Sequence, residues 1–184
     1  MVNIDEVILP IPRAHDVYTV FWNRIERTLS DYRDDYGLNL TPAFQRGHVW
    51  SHEQQTHYIE NTIRGLVSDS QRTIIFTSAE WDGKGIIGDL DRTVMCVDGL
   101  QRLTAVREFM NGEIHPFGLS LSDLTDTKYD PSRTLYSLHF QMFSFKHTRD
   151  LLQYYIGINS GGTPHTVEEI QRVKSMLLSL TVGQ

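Results

Sequence analysis

The segment Val94-Met95-Cys96-Val97-Asp98-Gly99-Leu100-Gln101-Arg102-Leu103-Thr104-Ala105-Val106 constrains this chain more than any other. A short apolar run breaks at Asp98-Gly99 and passes directly into apolar positions at Leu100, Leu103, Val106, Phe109 and Met110. Strand faces alternate at every second residue and helix faces recur about every 3.6, so the run predicts a strand and the sequel a helix. Asn111-Gly112 supplies the expected helix end. A second β-branched and aromatic run, Thr73-Ile74-Ile75-Phe76-Thr77, predicts another strand, and the Gly- and Asp-rich stretch from Trp81 to Arg92 a loop between them. The class is mixed α and β.

Other segments fill in around this pair. Tyr18, Phe21, Trp22, Ile25, Leu29 and Tyr32 recur every three or four residues, which predicts an amphipathic helix from Asp16, ended by Gly37. Leu38-Asn39-Leu40 reads as a short strand stopped by Pro42. Ser51-His52-Glu53-Gln54 fits a capping box opening a helix through Tyr58, Ile59 and Ile63, with Gly65 at its end. Residues 113–137 are expected to be irregular, and Leu138, Phe140, Met142 and Phe145 to form a strand. Leu151 to Ile158 reads as a helix ending at Asn159-Ser160-Gly161-Gly162, and Thr166 to Glu169 as a second capping box before a last helix reaching about Leu180.

Charge and cysteine content narrow the setting. Seventeen Lys plus Arg against twenty-three Asp plus Glu give a net charge of −6, which argues against tight sequence-independent binding to a polyphosphate backbone but leaves room for a local basic cleft. Thirteen of those seventeen cations are arginine, the residue suited to two-pronged recognition of phosphate or carboxylate. A lone Cys96 excludes an internal disulfide framework and fits a reducing compartment. No apolar run approaches the roughly 20 residues of a membrane span, and the N-terminus lacks a signal-peptide pattern. The expected location is the cytoplasm, with no membrane partner.

Three polar loops carry the candidate chemistry. Asp98 to Arg102 places an acid, a glycine, an amide and a guanidinium at a helix start, where unpaired N–H groups favour anions. Gly99 would let a phosphate approach, Arg102 would clamp it, and Asp98 would hold Mg²⁺ or orient water. The same spacing is met by a plain helix cap, with Asp98 as the capping residue and Arg102 on the surface. Phe44-Gln45-Arg46, with His48 and Trp50, is either a donor-bearing loop or an ordinary one anchored by its aromatics. Asn159-Ser160-Gly161-Gly162-Thr163-Pro164 either wraps phosphates through backbone N–H groups or simply ends a helix. The histidines show no zinc spacing.

Taken in order, Pro42-x-Phe44-Gln45-Arg46-x-x-Val49-Trp50, Val97-Asp98-Gly99-Leu100-Gln101-Arg102-Leu103-Thr104 and Ile158-Asn159-Ser160-Gly161-Gly162-Thr163-Pro164 resemble the DGQQR-motif family. That family is the N-terminal module of GmrSD-type modification-dependent restriction enzymes, similar in fold to ParB N-terminal domains and sulfiredoxin. The resemblance implies an α+β core, a small mixed sheet flanked by helices. It also implies one domain over residues 1–184, with 1–37 an N-terminal extension and helix and 38–180 the family core.

The resemblance further implies a nucleoside triphosphate as substrate or ligand and Mg²⁺ as cofactor. Asp98, Gln101 and Arg102 would be catalytic, with Asp98 also the metal ligand. Gln45, Arg46, Gly99, Asn159, Gly161 and Gly162 would bind the nucleotide. Leu100 departs from the family, which usually has glutamine there, and His165 stands where an apolar residue is common. The restriction enzymes carry a separate C-terminal nuclease module, and the sequence ends at Gln184 without one, so cleavage by that module is not expected. This format suggests a phage or mobile-element protein in a bacterial or phage-infected cell. Two functions follow from the resemblance. One is an Mg-dependent NTP phosphohydrolase linked to DNA processing. The other is a non-catalytic nucleotide-gated regulator that binds DNA or a host or companion protein.

Overall fold

A computed structural model describes residues 12–85, 87–133, 135–159 and 167–181. Strand β1 (Asp16–Phe21) leads through a 3₁₀ turn (Trp22–Arg24) into α1 (Ile25–Tyr36). Then come α2 (His52–Ile63), β2 (Thr73–Thr77), β3 (Met95–Asp98) and α3 (Leu100–Met110). The short α4 (Leu121–Leu124), β4 (Ser137–Phe143), α5 (Thr148–Asn159) and α6 (Val167–Thr181) complete the order. The four strands form one sheet in the order β1-β4-β2-β3, with β2 parallel to β4 and the outer pairs antiparallel. This is the expected α+β class, with a mixed sheet.

Strand alternation sorts the core into two. Ile74 and Phe76 of β2, Cys96 of β3 and Phe140 of β4 pack with Leu29 of α1 and Leu103, Val106 and Phe109 of α3 on one side of the sheet. Ile75 and Val97 face the other way, onto Phe145, Leu151, Leu152 and Tyr155, with Val173 of α6 and Phe44 joining them. Each large apolar side chain taken fully out of water contributes about 1.5–3 kcal/mol before chain entropy is set against it. The Asp98-Gly99 junction lies where the sheet ends and both cores meet.

Most predicted elements stand within a residue or two. The helix predicted from Asp16 does not: its first third is strand β1, and helix begins only at Ile25. Val17-Tyr18-Thr19-Val20-Phe21 is β-branched and aromatic, and it pairs with β4 from Asp16↔Met142 to Phe21↔Ser137. Cross-strand pairing outweighed the helical period. Gly37 does end α1, in the left-handed conformation (φ 66°). Leu38-Asn39-Leu40 makes a single bridge, Asn39↔Met95, rather than a strand. The stretch 113–137, expected to be irregular, includes α4 with its own Ser120–Asp123 capping box.

Candidate functional site

The start of α3 is open. Gly99 is the N-cap residue, at φ 94° and ψ 6°, and among the described residues no side chain caps the helix. The first N–H groups of a helix have no partner within it, so this end is open to an anion. Gly99 is also confined: a Cβ there would sit 2.8 Å from Ile74 Cδ1 and 3.0 Å from the Thr73 carbonyl oxygen. Neither the left-handed backbone nor the space admits a larger residue.

Asp98 does not act as a cap. Its Oδ2 accepts from Arg102 Nη2 at 2.8 Å, one helical turn on. The same Nη2 donates to the Thr73 carbonyl at 2.9 Å, and Arg102 Nε is buried without a partner among the described residues. With 21% of its side chain exposed, Arg102 is a held guanidinium rather than a surface one. The cap-only alternative therefore does not describe this junction.

The second predicted loop lies against it. Gln101, at the first turn of α3, accepts on Oε1 from Val49 N (2.9 Å) and Trp50 N (3.0 Å), and its Nε2 donates to Gly47 O (3.0 Å). Both ends of its amide thus fasten the loop after Arg46. Gln45 is buried, its amide nitrogen set toward the carbonyls of Leu40 (2.8 Å) and Cys96 (3.1 Å). The two glutamines thus lock the Arg46 loop to β3 and α3.

Arg46 itself reaches toward α6, with Nη1 3.5 Å from Glu169 Oε2. The Tyr155 hydroxyl is hydrogen-bonded to the Arg46 main chain, and burial raises its pKa, so it remains neutral. Asn159 lies at the end of α5, with Nδ2 donating to the Tyr155 carbonyl at 2.8 Å.

These parts enclose one cleft of about 380 Å³. Arg46, Asp98, Gly99 and Arg102 supply its charged and backbone surfaces, Trp50 and Leu100 one apolar wall, and Tyr155, Ile158 and Asn159 the other. Gln45 and Gln101 also border it, so the first two predicted loops meet there, and Asn159, the one described residue of the predicted third loop, joins them from the end of α5. Gly161 and Gly162 lie outside the described residues, as does Thr166 of the second capping box. Leu100, where the family usually has an amide, is buried among core side chains as well as bordering the cleft.

Sequence reasoning missed Tyr155 and Arg172. Arg172 Nη2 donates to Phe44 O (3.3 Å) and Gln45 O (3.4 Å). No local signal marks a tyrosine or arginine more than a hundred residues away as a neighbour of Arg46. Cys96, just beneath the site, is fully buried, and burial raises its thiol pKa to about 12, which leaves it unreactive.

Asp98 is the one carboxylate bordering the cleft among the described residues, and no group of three His, Cys, Asp or Glu side chains is placed there to hold a metal ion. No described helix is long and apolar enough to cross a membrane.

The cleft of this α+β domain thus joins an open helix start to two arginines and one acid. Residues 25–146 match the model of the family described as GmrSD restriction endonuclease, N-terminal domain, and the chain belongs to that family. No curated protein and no solved structure matches it. The matched range carries Arg46, Asp98, Gly99 and Arg102, while the wall formed by α5, and α6 behind it, lie beyond its end.

Proposed function

We propose that the cleft binds the phosphates of a nucleoside triphosphate, as the nucleotide-responsive part of a restriction-type DNA-processing system. The observation that carries this is the uncapped start of α3 at Gly99, which lines the same cleft as Arg46 and Arg102. Backbone N–H groups and the partial positive charge of the helix would meet a phosphate, and the two guanidiniums would neutralise it. The family supports the link to DNA. A chain of net charge −6 would contact DNA over a limited surface or through a companion protein.

Mg²⁺ fits this donor set when it arrives with the phosphates, because it keeps several waters and takes only one or two protein carboxylates. Asp98 is placed to be that carboxylate, with Arg102 fixing its orientation. The chain's residues then do the work that phosphoryl transfer asks of a protein: positioning and charge stabilisation. Gln101 contributes through the loop it fastens rather than by direct contact. Hydrolysis is the first reading, and Asp98→Ala and Arg102→Ala should each abolish phosphate release from NTP while leaving the circular dichroism spectrum unchanged. Full activity in purified Asp98→Ala would overturn it.

A binding-only regulator is the second reading. The engagement of both glutamines with backbone, and of Asp98 Oδ2 with Arg102, favours it, because the amides are then not free to orient water and the carboxylate is already paired. A thermal-shift screen of NTPs and dNTPs, with and without Mg²⁺, tests the shared premise, since a ligand that binds only the folded state raises the midpoint. Malachite-green detection of released phosphate then separates the two readings.

A further inference from the structure

One of the cleft's arginines already has a second carboxylate beside it, which belongs to the last helix and lies outside the cleft lining. Glu169 Oε2 lies 3.5 Å from Arg46 Nη1, each side chain 24% exposed, so this pair is less screened than one on the open surface. Three residues further along α6, Arg172 bonds the carbonyls of Phe44 and Gln45. These attachments of α6 fall on residues 44–46, the loop that presents Arg46 to the cleft. Behind them, Val173 packs into the second core.

A phosphate at the start of α3 would bring negative charge toward Arg46, which shares that cleft and already faces Glu169. The guanidinium would then face two anions, and the carboxylate would face a like charge. We propose that Glu169 is a built-in competitor for the cleft: an entering phosphate takes Arg46 from it, and α6 loosens from the 44–46 loop as the site fills. This rests on the phosphate reading of the cleft and adds its regulation. The coupling is reciprocal, so a partner that draws α6 away would tighten phosphate binding by the same factor that phosphate weakens the attachment of α6.

Inorganic tripolyphosphate is the probe, because it carries the charge without a base. Calorimetric titration of wild-type protein and Glu169→Gln is expected to show several-fold tighter binding by the variant, which keeps side-chain size and removes the competing charge. Hydrogen exchange over residues 168–180 is expected to speed up when wild-type protein is saturated with tripolyphosphate, and to start faster in Glu169→Gln. Equal affinity with unchanged exchange in α6, or weaker binding by Glu169→Gln, overturns the competitor while leaving the phosphate cleft standing. Absence of tripolyphosphate binding by both proteins, with both folded by circular dichroism, overturns the cleft reading and the competitor with it.

Discussion

Two helix starts in this protein are built in opposite ways. At α2, Gln54 N donates to Ser51 Oγ at 3.2 Å, and Ser51 N donates to Gln54 Oε1 at 2.9 Å, so the helix satisfies its own end. At α3 the cap position is Gly99, and the acid before it bonds forward to Arg102. A closed start contributes stability and has little left to offer a ligand. An open one forgoes that stability and leaves donors facing the cleft. The Gln101 amide joins the two regions by holding the 47–50 loop that runs from one to the other.

The comparison breaks most readily at Gly99. Gly99→Ala should cost about 1–3 kcal/mol for the left-handed backbone, with more from the contacts to Ile74 and Thr73, and should abolish phosphate binding. Urea denaturation reads the first effect and calorimetry the second. A variant as stable as wild type would mean that the glycine does not set the open start.

Gln101→Ala comes next. It leaves two backbone N–H groups and a carbonyl in the 47–50 loop without their side-chain partner, for a loss of about 1–3 kcal/mol. Phosphate affinity should fall with it through displacement of Arg46. If affinity is retained while stability drops, the loop does not position the arginine.

Ser51→Ala should cost about 1 kcal/mol at the closed start and leave phosphate affinity unchanged. Altered affinity would show that the two starts are not separable.

The smallest effect concerns acid, away from both starts. Hydrogen bonds from His15 and Trp81 hold the Asp16 carboxyl below its ordinary value of 3.8, and Lys146 does the same for Asp82. A lowered folded pKa means that stability is fully present above the ordinary value and is lost as pH falls through the folded one. The melting temperature should therefore be flat from neutrality to about pH 5 and decline modestly below about pH 4. Asp82→Asn should flatten part of that decline. An unchanged decline in Asp82→Asn would remove Asp82 as a source of the acid dependence.

What was legible in the sequence was local. Ser51 and Gln54 are three residues apart, so each finds its partner within one helical turn and the pattern announces the capping box. The β2 and β3 runs and the helix after Gly99 were equally plain, because apolar spacing reports which face is buried. The stretch from Asp16 to Phe21 was not legible in the same way. Its residues suit either period, and pairing with β4, over a hundred positions away, decided the matter.

The sequence by itself therefore determined the α+β class, the closed start of α2 and the polar loops that carry Gln45-Arg46 and Asp98-Gly99. Only the tertiary structure decided that Asp98 serves Arg102 rather than the helix end, and that the amides of Gln45 and Gln101 turn to backbone. It also brought α5 to form a wall of the cleft and set Glu169 against Arg46. The reason is physical. A cap or a turn is fixed by atoms within a few bonds along the chain, whereas the use of a charged or amide side chain is fixed by whichever distant backbone or opposite charge the packed cores bring within about 3 Å.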